Sequence, residues 1–279
     1  MSQRLGMAIL VLVLMAASGV LSVLGFIWVT GGTAEPSAPI SAPTLALTPA
    51  ADDARVAALS TQVAQLAAEN AALQAALDAS GGESQAAAAP PPAPAVTTPT
   101  LFRITPDESQ VRFLIDEDLR GQRVTVVGAT NQVAGDILVD SAAPANSQIG
   151  VIRINVRTLV TDEENRNRAL RSRILLSAEP QYEFSDFTPK AISGMPARIE
   201  VGQSVTFQIT GDLTVRGVTR EVTFDTTATL VAPERLEGQA RAVVLYRDFG
   251  LTIPAVPFVA NVADEVRLEI DFVAIKVEA

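Results

Sequence analysis

The stretch "VTFQITGDLTVRGVTREVTF", residues 205–224, decides how the rest of the chain is read. Counted in twos, Val205, Phe207, Ile209, Gly211, Leu213 and Val215 share one face, while Gln208, Thr210 and Asp212 share the other. Arg216-Gly217 stands where a two-residue hairpin turn belongs. Placing Val215 opposite Val218 carries the apolar face on through Arg220, Val222 and Phe224. The result is two long strands with one greasy face and one wet face. The question is whether the protein's own side chains cover that greasy face or a carried molecule does.

The same texture extends from residue 101 to residue 279. Strands are expected at 102–105, 110–117, 122–128, 133–140, 149–156, 181–188, 203–215, 218–230, 237–247 and 265–277. Only "TDEENRNRALRSRIL", residues 161–175, breaks the alternation, and it reads as one short helix with acidic residues in its first turn. So many long strands leave exposed edges unless the sheet closes, so the reading is mainly β: a lipocalin-like antiparallel β-barrel with one short helix. A two-sheet sandwich shows the same alternation and stays open as the alternative. Gly128, Gly135 and Gly211 fall inside strands, where glycine leaves space or marks a bulge.

Composition narrows the chemistry. Among 279 residues there is no Cys and no His, and the only lysines are Lys190 and Lys276. Thiol nucleophiles, thiolate metal sites and the usual neutral-pH general base are therefore missing. A net charge of −10 argues against a nucleic-acid partner, because phosphate binding needs a basic field. Arg247-Asp248 reads as a structural pair in a turn. No catalytic and no metal-binding constellation is expected.

Ahead of the β region the chain changes character three times. Residues 7–29, "MAILVLVLMAASGVLSVLGFIWV", carry no charge and are long enough to span a bilayer, so 1–29 reads as a transmembrane signal-anchor. Arg4 precedes the span and Glu35 follows it, which places the C-terminal domain on the extracytoplasmic side, periplasmic or extracellular. Cleavage after "MAAS" is the competing reading. Residues 30–48 are a linker rich in Pro, Ala, Ser and Thr. Over 49–80, Val56, Val63, Asn70 and Leu77 take heptad position a, and Leu59, Leu66 and Leu73 take d. Val at a, Leu at d and a single Asn at a favour a parallel homodimeric coiled coil through 56–77; a solitary Ala-rich spacer helix is the plainer alternative. Residues 81–100 form a Pro/Ala-rich extended tether.

The hairpin segment "GDLTVRGVTREVTF" (211–224) resembles the signature of the YceI-like polyisoprenoid-binding family. Supporting segments follow in the family's order: "SQVRF" at 109–113, "RNRALRS" at 166–172, "YRDFGL" at 246–251 and "NVADEVRLEIDFVA" at 261–274. Two positions depart from the pattern, with Glu108 where a His commonly stands and Asn167 where an Asp does. The likeness covers about 101–279 and nothing ahead of it. It implies a barrel with an apolar tunnel for an isoprenoid lipid, of polyprenyl or quinone type, and no other cofactor.

Strand phase nominates the tunnel wall: Phe113 and Ile115, Phe184, Phe207 and Ile209, Val222 and Phe224, then Leu268, Ile270 and Phe272. Ordinary core is the plainer reading of each. Arg166, Arg168 and Arg171, with Arg173, are the candidates for a lipid head group; a solvated helix face paired to Glu163 and Glu164 is the plainer reading. The expected function is a non-enzymatic, membrane-anchored carrier of an isoprenoid lipid. The alternative is a solid domain displayed on a stalk as a structural or interaction module.

Overall fold

The computed structural model describes residues 33–45, 61, 65–66, 68–72 and 99–277. The transmembrane reading of 7–29 and most of the 49–80 helix lie outside those residues, and among the described residues no helix is long and apolar enough to cross a membrane. The chain divides into two compact units, one of residues 46–96 and one uniting 1–45 with 97–279. In the first, residues 61, 65–66 and 68–72 are helical, and Leu66 and Asn70 of the heptad reading are exposed.

Among the described residues, the second unit has thirteen strands in one antiparallel sheet. β1 (Thr100–Ile104) and β2 (Gln110–Leu119) are two halves of a bent strand, parted by a turn at Pro106. β3 (Gln122–Thr130), β4 (Val133–Ala134) and β5 (Asp136–Val139) are a second broken strand, and β6 (Gln148–Ile149) with β7 (Ile152–Asn155) a third. The long strands are β8 (Phe184–Ser193), β9 (Ser204–Val215), β10 (Val218–Ala232), β11 (Arg235–Leu245) and β13 (Glu265–Lys276), with β12 (Val259–Ala260) a short addition beside β2.

The β9–β10 register places Val218 opposite Val215, the pairing on which the reading of the sequence rests. Both turn residues have positive φ, Arg216 at 49° and Gly217 at 74°, as a two-residue hairpin of this twist requires. Arg216 tolerates that conformation while its guanidinium donates to the carbonyls of Ile174 (3.0 Å) and Gly250 (2.5 Å). On the wet face, cross-strand pairs hold the ladder: Thr210 with Thr223 and Thr214 with Thr219 at 2.8 Å, and Gln208 to Asp225 at 2.8 Å. Arg220, in the inward phase, lies exposed beside the turn.

From β7 the ladder runs β8, β9, β10, β11, β13. β13 then divides its far edge between β2 and β1, whose partners are β3 and β5. The sheet curls back on itself, but the seam is thin: β4–β7 and β5–β6 contribute two residue pairs each. The architecture is therefore a lipocalin-like half-barrel with a pinched seam, in place of the evenly closed cylinder expected. It is one continuous sheet, which excludes the two-sheet sandwich. The seam is short because the second strand breaks at Asn131-Gln132 and again at Gly135, where the Ile152 side chain occupies the room a Cβ would need.

β8 begins and ends later than expected. Pro180–Tyr182 is a 3-10 turn, and the strand runs on through Pro189, which lies past the last rung shared with β7. The ladder to β9 steps by one residue between Pro189 and Ala191, the bulge that lets a proline sit in a strand. The helix spans Glu164–Ala169, capped by the Glu163 carboxylate on Arg166 N–H (2.7 Å), and continues as one π-helical turn, Leu170–Ile174. Leu159, Leu170 and Leu175 from this region pack with Phe113 and Leu251, and close one end of the half-barrel.

Candidate lipid cavity

Away from the helix the interior is not filled. A cavity of about 90 Å³ lies inside an apolar envelope of about 940 Å³ that reaches solvent. Its walls come from the inward phase of the long strands: Phe207 and Ile209 of β9, Phe224, Ala228 and Leu230 of β10, Leu236 and Ala240 of β11, Ile270 and Phe272 of β13. The bent strands supply Ile104, Ile137, Val139, Ile149 and Ile152. Thr226 and Ser147 are the polar lining residues, and none of the described lining side chains carries a charge. Phe187 and Phe224 meet edge to face at 4.9 Å and 70°, a favoured aromatic geometry.

The β8–β9 loop lies over this end. Met195 and Ile199 line the cavity, and glycines at positive φ, Gly194 at 83° and Gly202 at 84°, bracket them. Ile199 N–H donates to Ser141 O (2.9 Å) and Gly202 N–H to Leu230 O (2.8 Å), so backbone bonds hold the loop down.

Of the wall residues expected from strand phase, Phe207, Ile209, Phe224, Ile270 and Phe272 line the cavity. Val222 and Leu268 belong to the core beside it. Phe113 and Ile115 point inward but sit in the filled half, with Val126, Tyr246 and Val266. Phe184 does not face the interior: it lies on the outer face with Asp186, under the Arg153 guanidinium at 5.2 Å from its ring centre. Phe187 takes the inward place. Asp186 was the available signal, since a carboxylate on the outer face puts Phe184 out and Phe187 in. Met195 and Ile199 have no periodic signal, being on a loop, and Thr226, though it shares the phase of Val222 and Phe224, carries no apolar signal.

The arginines nominated for a head group are not among the lining residues. Arg166 pairs with Asp162 and with the buried carboxylate of Glu117 (3.2 Å). Arg168 and Arg171 both reach Glu164, at 3.2 and 3.3 Å, and Arg171 is itself buried. The Asn167 amide, ahead of Arg168 and Arg171, holds the Glu164 carboxyl below the ordinary carboxylate range. Asn167 accepts from Thr161 N–H (2.7 Å), so the segment is a folded polar knot beneath the helix.

A second buried ionic group lies at the junction of β7 and β8, outside the cavity lining. Glu183, 1% exposed, accepts from Asn155 Nδ2 (2.8 Å) and pairs with Arg157 (2.9 Å). It also accepts the Ser37 backbone N–H at 2.9 Å, and Leu45 lies against Gly150. Residues 33–45, part of the stretch read as linker, therefore touch the domain along β6–β7. Among the described residues no cluster of Asp and Glu could hold a metal ion.

A curled antiparallel sheet around an uncharged, apolar void defines the class of protein: a mainly β, lipocalin-like domain. The chain belongs to the YceI-like domain family, whose model matches residues 102–274. Solved structures similar to it include BcnA of Burkholderia cenocepacia, at 20% identity and TM-score 0.49, covering 61% of this chain and 98% of that one. Another is described as a polyisoprenoid binding domain from Saccharophagus degradans implicated in plant cell wall breakdown, at 12% identity and TM-score 0.48, covering 64% of this chain and all of that one. A third is the Campylobacter jejuni YCEI protein, at 18% identity and TM-score 0.42, covering 53% and 82%. Comparison with curated proteins gives no match.

Proposed function

We propose that the protein is a non-catalytic carrier that shelters an isoprenoid lipid in the cavity between β9, β10 and β13. The observation that carries this reading is the void itself: it is lined almost wholly by hydrocarbon side chains, opens to solvent and contains no charge to serve a polar substrate. Each CH₂ transferred from water into such a lining contributes about 0.8 kcal/mol, so a prenyl chain needs little polar help. The enclosed room of about 90 Å³ takes only the leading part of such a chain. The rest follows when Met195 and Ile199 swing aside about Gly194 and Gly202, the hinges that flank them.

In this reading residues 7–29 anchor the chain in a membrane, the 56–77 heptads pair two copies in parallel, and the domain works on the extracytoplasmic side. The rival is a solid module displayed for a protein partner. It is favoured by the small enclosed volume and by the filled helix end. Organic extraction of the purified protein followed by mass spectrometry separates the two. The carrier yields a prenyl lipid, or takes up added quinone or polyprenol with saturation; repeated failure of both leaves the display module.

A further inference from the structure

One polar atom is out of place in the cavity. Thr226 sits between Phe224 and Ala228 on the inward face of β10 and is 1% exposed. It lines the void, and its Oγ1 is buried with no hydrogen-bond partner in the protein. Its neighbours on the outer face are paired, Thr223 with Thr210 (2.8 Å) and Thr227 with Thr206 (3.2 Å). Across its two ladders Thr226 meets only Phe207 and Ala240. Buried hydroxyls are nearly always satisfied, because an unmade bond forfeits the hydration the group left behind. Valine has the same shape and would remove the cost. The other such atom among the described residues, Ser177 Oγ, is not on the cavity wall.

We propose that Thr226 is the polar anchor of the ligand: its hydroxyl bonds a neutral oxygen of the lipid, held inside the cavity and not at its mouth. This rests on the carrier reading and sharpens it. Ser147 Oγ, the other polar wall atom, already accepts Asp140 N–H at 3.0 Å. A phosphate seated beside Thr226 would meet no counter-charge, and an unpaired buried ion is far costlier than a buried hydroxyl. A pure hydrocarbon would leave the hydroxyl unpaired. The ligand class is therefore an uncharged isoprenoid bearing a carbonyl or hydroxyl. The edge-to-face pair of Phe187 and Phe224 beside Thr226 suits a flat ring as the bearer of that oxygen.

The test uses the full-length chain, wild type and Thr226→Val, with three probes of equal chain length: a prenylated benzoquinone, its oxygen-free hydrocarbon analogue and a prenyl phosphate. Wild type should bind the quinone about fivefold more tightly than the hydrocarbon, the worth of one neutral hydrogen bond. Thr226→Val should lose the quinone preference, and Thr226→Ser should restore it. The quinone carbonyl stretch should fall in frequency only where the hydroxyl is present. Should the Val variant not fold, Thr226→Ala serves in the same comparison. An equal quinone preference in the variant lacking the hydroxyl, or prenyl phosphate bound best by wild type, overturns the anchor and leaves the carrier standing. Binding of none of the probes by wild type overturns both.

Discussion

The Phe272 ring lies over Gly238 on the adjacent strand: a Cβ at position 238 would stand 2.5 Å from Phe272 Cζ. The glycine therefore sets where this cavity-lining ring rests. Gly238→Ala should turn Phe272 toward the void, at a cost of about 1–3 kcal/mol for the crowded site. Urea denaturation should show the loss of stability and lipid uptake should fall with it. Unchanged uptake would mean that Phe272 does not bound the ligand.

Ala240 lines the same wall and is buried. Ala240→Phe places a ring where the lipid would lie. Uptake should be abolished while circular dichroism and a cooperative melt report an intact sheet, at an overpacking cost of about 1–3 kcal/mol. A variant that still saturates with quinone would remove this cavity from consideration.

Arg166 separates structural from head-group chemistry. Its removal leaves the 7%-exposed Glu117 without its cation, so Arg166→Ala should lose about 2 kcal/mol of stability. Lipid affinity, measured where both proteins are folded, should not change. A selective loss of affinity would return the arginine to the ligand site.

Glu183 makes the fold acid-sensitive. Burial alone would raise its pKa, but the Ser37 N–H, the Asn155 amide and Arg157 outweigh burial and hold it below the ordinary value of 4.5. A carboxyl whose folded pKa is depressed stabilises fully above its unfolded pKa, and that share is lost as pH falls through the folded value. The wild type should therefore lose stability below about pH 4.5 more steeply than Glu183→Gln. At pH 7 the Gln variant should be weaker by about 2 kcal/mol, because the half-buried Arg157 loses its counter-ion and keeps only neutral partners such as the Ser177 carbonyl. Melting temperatures from pH 7 down to pH 3 decide it; parallel curves would assign the acid response to other carboxylates.

The alternation over 205–224 was sufficient for the hairpin, its register and its turn, because strand side chains alternate strictly and only a two-residue loop lets Val215 meet Val218. Sequence spacing also placed Phe207, Ile209, Phe224, Ile270 and Phe272 on the inner face, which they occupy. It failed at Phe184, where a strand start misjudged by three residues reversed the phase.

What the sequence determined by itself is thus the direction each strand residue points, a local property repeated every two residues. Only the tertiary structure decided depth. Phe113 and Phe272 both point inward, yet one is packed among Leu159, Leu170 and Leu175 beneath the helix and the other borders a void. That difference depends on how distant segments cap each end of the curled sheet. It is why the hydroxyl of Thr226, with the same phase as Val222 and Phe224, is left facing open space with nothing in the protein to bond.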